Sequence, residues 1–172
     1  MVRRSSTERR PACFGIGYEK RSPLELCTLL KLQGVTHVID VRQSAWSYRR
    51  EYRKEALRTC LQEAGIKYTH MPEAGNPFRP RAGERKSFDS CRRDYAAFIG
   101  ERPEVLASIH AAASQERVAL LCYERDGDQC HRSVIVSQIH RKVGHVDFID
   151  LQPGPDGSAG RKPPSARRAR SA

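Results

Sequence analysis

Short apolar segments alternate with segments of helical periodicity between residues 12 and 151. Residues 13–17 predict a first strand, and Ser22 followed by Pro23 predicts the start of a helix that ends at Gly34. The alternation continues, with strands expected at 35–41, 66–70, 118–122 and 146–151, and helices at 54–64, 88–99, 103–114 and 131–143. This order predicts an α/β fold with a three-layer, mostly parallel five-stranded sheet and helices on both faces, in a Rossmann-like arrangement.

The remaining residues form one long internal segment and two tails. Residues 71–86 are rich in Pro, Gly and Arg, and an irregular segment of this length in a compact domain is more often functional than inert. Residues 1–11 and 152–172 are polar and basic, so we expect disordered basic tails on either side of a single domain at 12–151.

The net charge of +11 raises the question of nucleic-acid binding, but most of the excess belongs to the two tails. A basic tail can bind phosphate backbones through counterion release, and it can equally serve only to keep the protein in solution. The chain has six cysteines, no apolar leader and no apolar run of about 20 residues. We therefore expect a cytoplasmic protein with reduced thiols and no membrane contact, and the pattern predicts no particular protein partner.

Reactive side chains follow the predicted strands, which is where an open parallel sheet binds its ligands. We expect them to share one edge of the sheet. After the first strand comes Tyr18, after the second Asp40 and Arg42, after the third His70, Glu73 and Asn76, and after the fourth Cys122, Tyr123, Glu124 and Arg125, while Cys130, His131 and Arg132 begin the next helix.

The residue types in this set suggest a division of roles. Cys122 is a candidate nucleophile because nearby arginines and a helix N-terminus can lower a thiol pKa, although a free cysteine at a strand end is often simply buried. Glu124, His131 and Asp40 are candidates for acid–base catalysis, with ion pairing to arginines as the structural alternative. The predicted anion-binding residues are Arg42, Arg125 and Arg132, and the predicted substrate contacts are Tyr18, His70, Glu73, Asn76 and Tyr123.

A metal ion is an alternative use of the same cysteines. Cys122, Cys130, His131 and His70 are ligand types that zinc prefers. Their spacing lacks the short chelating pair of common zinc modules, so we predict no cofactor and keep zinc as an open alternative, together with a redox pair of the two cysteines.

Five short blocks carry a family resemblance. They are GIGYE at 15–19, IDVR at 39–42, HMPEAGNP at 70–77, LCYER at 121–125 and CHRS at 130–133. In this order they are similar to the signature blocks of a bacterial family catalogued as domain of unknown function 488, from which Ala74 and the Ser47-Tyr48 pair depart. The resemblance implies a compact α/β fold and a shared site, and it supplies no established reaction.

We predict an enzyme, a hydrolase or group transferase, that acts on a phosphate-bearing nucleotide or nucleic-acid substrate. A non-enzymatic nucleic-acid-binding module is the first alternative. It would use the tails and residues 46–53, where Trp46, Tyr48 and Tyr52 alternate with arginines and could stack on bases. A zinc-binding protein is the second alternative.

Overall fold

The computed structural model describes residues 11–79, 87–127, 130–153 and 159–161. Of the tails for which disorder is predicted, residues 1–10, 154–158 and 162–172 lie outside this description. The same holds for residues 80–86 of the long irregular segment and for residues 128–129.

Six strands form one sheet in the order β3-β2-β4-β1-β5-β6. Their bounds are β1 Ala12–Gly17, β2 His37–Asp40, β3 Lys67–His70, β4 Val118–Cys122, β5 Asp147–Pro153 and β6 Ala159–Arg161. The first five strands are parallel, which confirms the predicted α/β fold and its mostly parallel sheet. The short strand β6 pairs antiparallel with β5, and both β6 and the last two residues of β5 fall inside the segment 152–172 for which a disordered tail is predicted. The strand order also differs from the Rossmann order, because β4 lies between β2 and β1.

Five helices connect the strands of the described residues. They are α1 Pro23–Leu32, α2 Lys54–Glu63, α3 Phe88–Gly100, α4 Pro103–Gln115 and α5 His131–Lys142, with short 3₁₀ turns at Arg50–Tyr52 and Pro72–Ala74. Helix α1 begins as the sequence predicts, because the Ser22 hydroxyl accepts from the Glu25 amide and the Glu25 carboxylate accepts from the Ser22 amide. None of the helices in the described part of the chain is long and apolar enough to cross a membrane.

Apolar packing covers both faces of the sheet. Along β4, Val118, Leu120 and Cys122 belong to the core that α3, α4 and α5 complete, whereas Ala119 and Leu121 belong to the core completed by α1 and α2. Successive side chains in a strand point to opposite faces, so Cys122 ends its strand on the side of α5. The alternation therefore fixes the face of the sheet on which the reactive residues after β4 collect.

Candidate functional site

Four side chains of metal-ligating type meet where β4 ends and α5 begins. They are Cys122, Glu124, Cys130 and His131, and their ligating atoms all lie within 4.8 Å of one another. Cys122 is the last residue of β4, while Cys130 precedes α5 in an extended conformation and His131 is the first helical residue. A strand end and a helix start that face each other thus place these groups in one cluster, which we call the thiol cluster.

Contacts within the thiol cluster converge on one carboxylate oxygen and one ring nitrogen. The sulfurs of Cys122 and Cys130 lie 2.9 and 3.2 Å from Glu124 Oε2. Both sulfurs lie 3.6 Å from His131 Nδ1. Two thiols, one carboxylate and one imidazole therefore surround a common point.

The other nitrogen of His131 fixes the orientation of the ring. His131 Nε2 lies 2.9 Å from the backbone oxygen of Val41, which can only accept a hydrogen bond. Nε2 therefore carries the proton, and Nδ1 presents its lone pair to the two sulfurs. The edge of the ring also packs against Tyr95.

The two thiols have different electrostatic environments. Burial opposes the ionisation of Cys122, but the hydrogen bond from Cys130 and the charges of Arg132 and Arg79 outweigh it and lower the pKa of the Cys122 thiol. Burial, followed by the proximity of Cys122, raises the pKa of the Cys130 thiol well above its ordinary value. Of the two thiols, Cys122 is therefore the one that loses its proton more readily.

Arg132 holds the segment between β4 and α5 in place. Its side chain is fully buried and donates to the backbone oxygens of Ile16 and Glu124 at 3.0 and 2.8 Å, and it pairs with Asp150 at 3.3 Å. Only glycine fits at position 17, because a Cβ there would overlap the carbonyl group of Glu124 in the same segment. Arg132, for which anion binding is predicted, thus contacts the backbone of Glu124 in the structure and holds that residue in position.

Asp40 and Arg42, predicted as an acid–base group and an anion-binding group, form a buried ion pair. Arg42 Nε and Nη2 donate to the two oxygens of Asp40 at 2.8 and 2.6 Å, and the Tyr68 hydroxyl donates to Asp40 at 2.6 Å. Arg42 Nη1 donates to the Tyr18 hydroxyl and to the backbone oxygen of Tyr52. Both charged groups are buried, and each is the main partner of the other. These contacts favour a structural role for the pair at the sheet edge.

The remaining predicted residues divide between the scaffold, the surface and a cavity. Tyr18 is buried and stacks on Tyr52. His70 donates to the backbone oxygen of Arg42, and it is not one of the four residues of the thiol cluster. Glu73 and Tyr123 are exposed, and the backbone amide of Arg125 donates to Glu19. Asn76 is the predicted substrate residue that lines the cavity beside the cluster.

That cavity has a volume of about 400 Å³, and its lining combines predicted site residues with residues that the sequence analysis did not select. Glu124, Cys130 and His131 line it, and so do Arg79 and Arg92. Arg79 belongs to the irregular segment for which a functional role is predicted, and it pairs with Glu124 Oε1. Arg92 lies on α3 and is half-buried, whereas its neighbour Arg93 is exposed.

The aromatic segment 46–53 lies on the surface only in part. The rings of Trp46 and Tyr48 are 52% and 91% exposed, and they pack edge to face with Arg53 over Trp46. Tyr52 is fully buried, and its hydroxyl donates to the backbone oxygen of Arg21. Of the three aromatic residues predicted to stack on bases, two therefore expose a ring to solvent.

The model of the family described as Domain of unknown function DUF488 matches residues 23–139. The chain belongs to this family. The matched range includes every residue of the thiol cluster, so the cluster is part of the DUF488 domain itself. No match was found among curated proteins or among solved structures.

The DUF488 domain thus combines a buried thiol cluster with a cavity beside it. Two sulfurs, one nitrogen and one oxygen are ligand types that suit a single borderline-soft cation such as Zn²⁺. Glu124 is the ligand-type residue that also pairs with a side chain of the cavity, Arg79. The arrangement therefore places a set of metal-ligating side chains directly beside a cavity.

Proposed function

We propose that this DUF488 domain is a metal-dependent enzyme whose ion, zinc by ligand type, is bound by Cys122, Glu124, Cys130 and His131. The proposal rests on the convergence of their four ligating atoms within 4.8 Å of one another. Ligands about 2.0–2.3 Å from a tetrahedral zinc ion lie about 3.3–3.8 Å apart. The two sulfur–nitrogen distances of 3.6 Å already match this range. The sulfur–oxygen distances of 2.9 and 3.2 Å need to lengthen by about 0.3–0.7 Å to reach the separation that zinc requires.

The surroundings of the ligands support the same proposal. A metal-binding histidine usually donates its second N–H to a carbonyl or carboxylate, as His131 does to Val41. Arg132 holds the backbone of Glu124, so the carboxylate is placed by a residue that is itself fully buried. The positive charge of Arg132 also favours thiolates over thiols, and thiolates are the form that binds zinc.

An enzymatic role follows from the position of Glu124. Structural zinc sites keep four permanent protein ligands, whereas catalytic sites leave one position for water or substrate. Glu124 lines the cavity, and its Oε1 atom, which does not face the sulfurs, pairs with Arg79. Its carboxylate is therefore the ligand that water or substrate can replace. Hydrolysis or group transfer on a molecule in the cavity is the reaction class that this arrangement favours.

The cavity also favours a ligand role for Cys122 over a role as nucleophile. Cys122 is 2% exposed and, among the described residues, is not part of the cavity lining, whereas Cys130 is. A substrate in the cavity therefore meets Cys130, His131 and Glu124 before it can reach the Cys122 sulfur.

Metal analysis of the full chain, purified without a histidine tag, tests the proposal. We expect about one zinc per chain and, after exchange with Co²⁺, the intense charge-transfer absorption of thiolate-bound cobalt. Cys130→Ser and His131→Asn should lower metal content and the absorption. Cys91→Ser is the matched control, because Cys91 is buried and lines the same cavity without belonging to the thiol cluster. Equal metal content in all these variants, or none in the unaltered protein, refutes the proposal.

A second candidate function is the binding of single-stranded nucleic acid through Trp46 and Tyr48. It is favoured by the 91% exposure of Tyr48 and by the guanidinium of Arg53 over the Trp46 ring. Tyr48→Ala is expected to weaken the binding of a single-stranded oligonucleotide about tenfold, since base–aromatic stacking contributes about 1–3 kcal/mol. Unchanged affinity at low salt, measured by fluorescence anisotropy, excludes this function.

A further inference from the structure

The cavity beside the thiol cluster is large enough for a small organic molecule. Its volume of about 400 Å³ falls in the range of small-molecule sites, which is about 300–1,000 Å³. On one side it is bounded by the ligand residues Glu124, Cys130 and His131, and on the other by side chains of α3. A molecule in this space would lie in contact with the proposed metal centre.

The charges that line the cavity favour an anion. Its lining includes two guanidinium groups, Arg79 and Arg92, against one carboxylate, that of Glu124. Arg79 is half exposed and pairs with Glu124, and Arg92 donates to Ser133 at 3.2 Å. A guanidinium has five N–H donors, so each arginine can bind an incoming anion while it retains part of these contacts.

The cavity also has an apolar side. Phe88, Tyr95 and Val134 are part of its lining, and Arg92 lies over the Phe88 ring with 5.5 Å between the guanidinium carbon and the ring centroid. A ligand with a charged group alone would leave the apolar side of the cavity unfilled. The lining therefore matches a molecule with an anionic group at one end and an apolar or planar body at the other.

We propose that the cavity binds a small organic phosphate monoester, with its phosphate held by Arg79 and Arg92 beside the metal ion. This inference rests on the proposed function, because it places the substrate next to the metal centre. A phosphate is favoured over a carboxylate because its two charges match two guanidinium groups, whereas a carboxylate carries one. The phosphate takes the place of Glu124 as the partner of Arg79. The Glu124 carboxylate is then released from Arg79 and can move away from the position that the substrate occupies.

Calorimetric titration of the zinc-loaded full chain with phenyl phosphate tests this inference, with inorganic phosphate and benzoate as comparison ligands. Phenyl phosphate should bind more tightly than either, since it alone has both the dianionic group and the ring. Arg92→Gln should weaken its binding about tenfold or more, because a charge-assisted hydrogen bond is lost. Arg93→Gln, an exposed arginine one residue along α3, is the matched control and should change the affinity less than about twofold. Arg92→Lys should bind more tightly than Arg92→Gln, because it retains the charge.

Three results would overturn the inference. They are no binding of phenyl phosphate to the unaltered protein, equal effects of Arg92→Gln and Arg93→Gln, or tighter binding of benzoate than of phenyl phosphate. The same titration on chelator-treated protein separates this inference from the proposed function. Binding that depends on Arg92 in a chain that takes up no metal would support the anion site and refute only the metal centre.

Discussion

Removal of the Asp40 carboxylate is expected to destabilise the domain by about 3–5 kcal/mol, because it leaves the buried guanidinium of Arg42 without its counter-charge. Asp40 accepts from Arg42 at 2.8 and 2.6 Å through Nε and Nη2, and from the Tyr68 hydroxyl at 2.6 Å. The backbone amide of Arg42 donates to the same carboxylate at 3.1 Å. Such a loss is a large fraction of the total stability of a domain, which is about 5–15 kcal/mol.

A double-mutant cycle measures this interaction without any knowledge of the reaction. The single variants Asp40→Ala and Arg42→Met and the double variant are unfolded in urea, and the free energies of unfolding are compared. The double variant should lose less than the sum of the single losses, by up to about 3 kcal/mol, because each single change already removes the pair. Glu55→Ala is the control, since Glu55 pairs with Arg58 on the exposed surface of α2 and its loss should cost no more than about 0.5 kcal/mol.

The cycle distinguishes a structural pair from a catalytic one. If Asp40 were an acid–base catalyst at an open site, Asp40→Ala would cost no more stability than Glu55→Ala. A loss below about 1 kcal/mol together with additive single variants would therefore refute the structural role of the Asp40–Arg42 pair.

Two further changes test how the segment after β4 and the start of α1 are held. Gly17→Ala should lower both stability and zinc affinity, because the new Cβ overlaps the carbonyl of Glu124 and displaces that ligand. Gly100→Ala on α3 is the control and should leave zinc affinity unchanged, because a Cβ there meets only the side chains of Gln138 and Lys142. Equal zinc affinity of the two variants in a competition titration would contradict this expectation. Ser22→Ala should lower the free energy of unfolding by about 1 kcal/mol, because it removes the acceptor for the Glu25 amide. If the variant unfolds in urea at the same concentration as the unaltered protein, the capping box contributes nothing to stability.

Much of the fold could be predicted because local patterns decide it. The apolar run Val118–Cys122 is a strand with the predicted bounds, and the Ser22-Pro23 pair begins α1 as predicted. The strand order was not predictable, since no local pattern records which strands are neighbours. The short strand β6 was missed because its residues have the polar, Gly-rich composition of a tail, and pairing with β5 is what orders them.

The thiol cluster could be predicted only in outline. A parallel sheet brings strand ends to one edge, which is why Cys122, Glu124, Cys130 and His131 were expected near one another. His70 was the fourth residue of the open zinc alternative, and in the structure it ends the edge strand β3, away from the thiol cluster. Its position could not be predicted, because no local pattern records the strand order.

The depth of a charged side chain was the main property that the sequence did not reveal. Asp40 and Arg42 have the types and positions of site residues, but tertiary packing buries them against each other. Arg92, by contrast, is one of two adjacent arginines on α3, and only the packing of α3 against α5 places it in the cavity. Residue type and spacing therefore indicated which residues form the thiol cluster, whereas the residues that line the cavity could be identified only from the three-dimensional structure.

X-ray absorption spectroscopy of the zinc-loaded protein at the zinc edge tests the central claim most directly. The metal centre predicts a four-coordinate ion with two sulfur ligands at about 2.3 Å and two nitrogen or oxygen ligands at about 2.0–2.2 Å. Cys130→Ser should reduce the sulfur contribution to one. A spectrum with only nitrogen and oxygen ligands, or one that Cys130→Ser leaves unchanged, would contradict a zinc ion bound by Cys122, Glu124, Cys130 and His131.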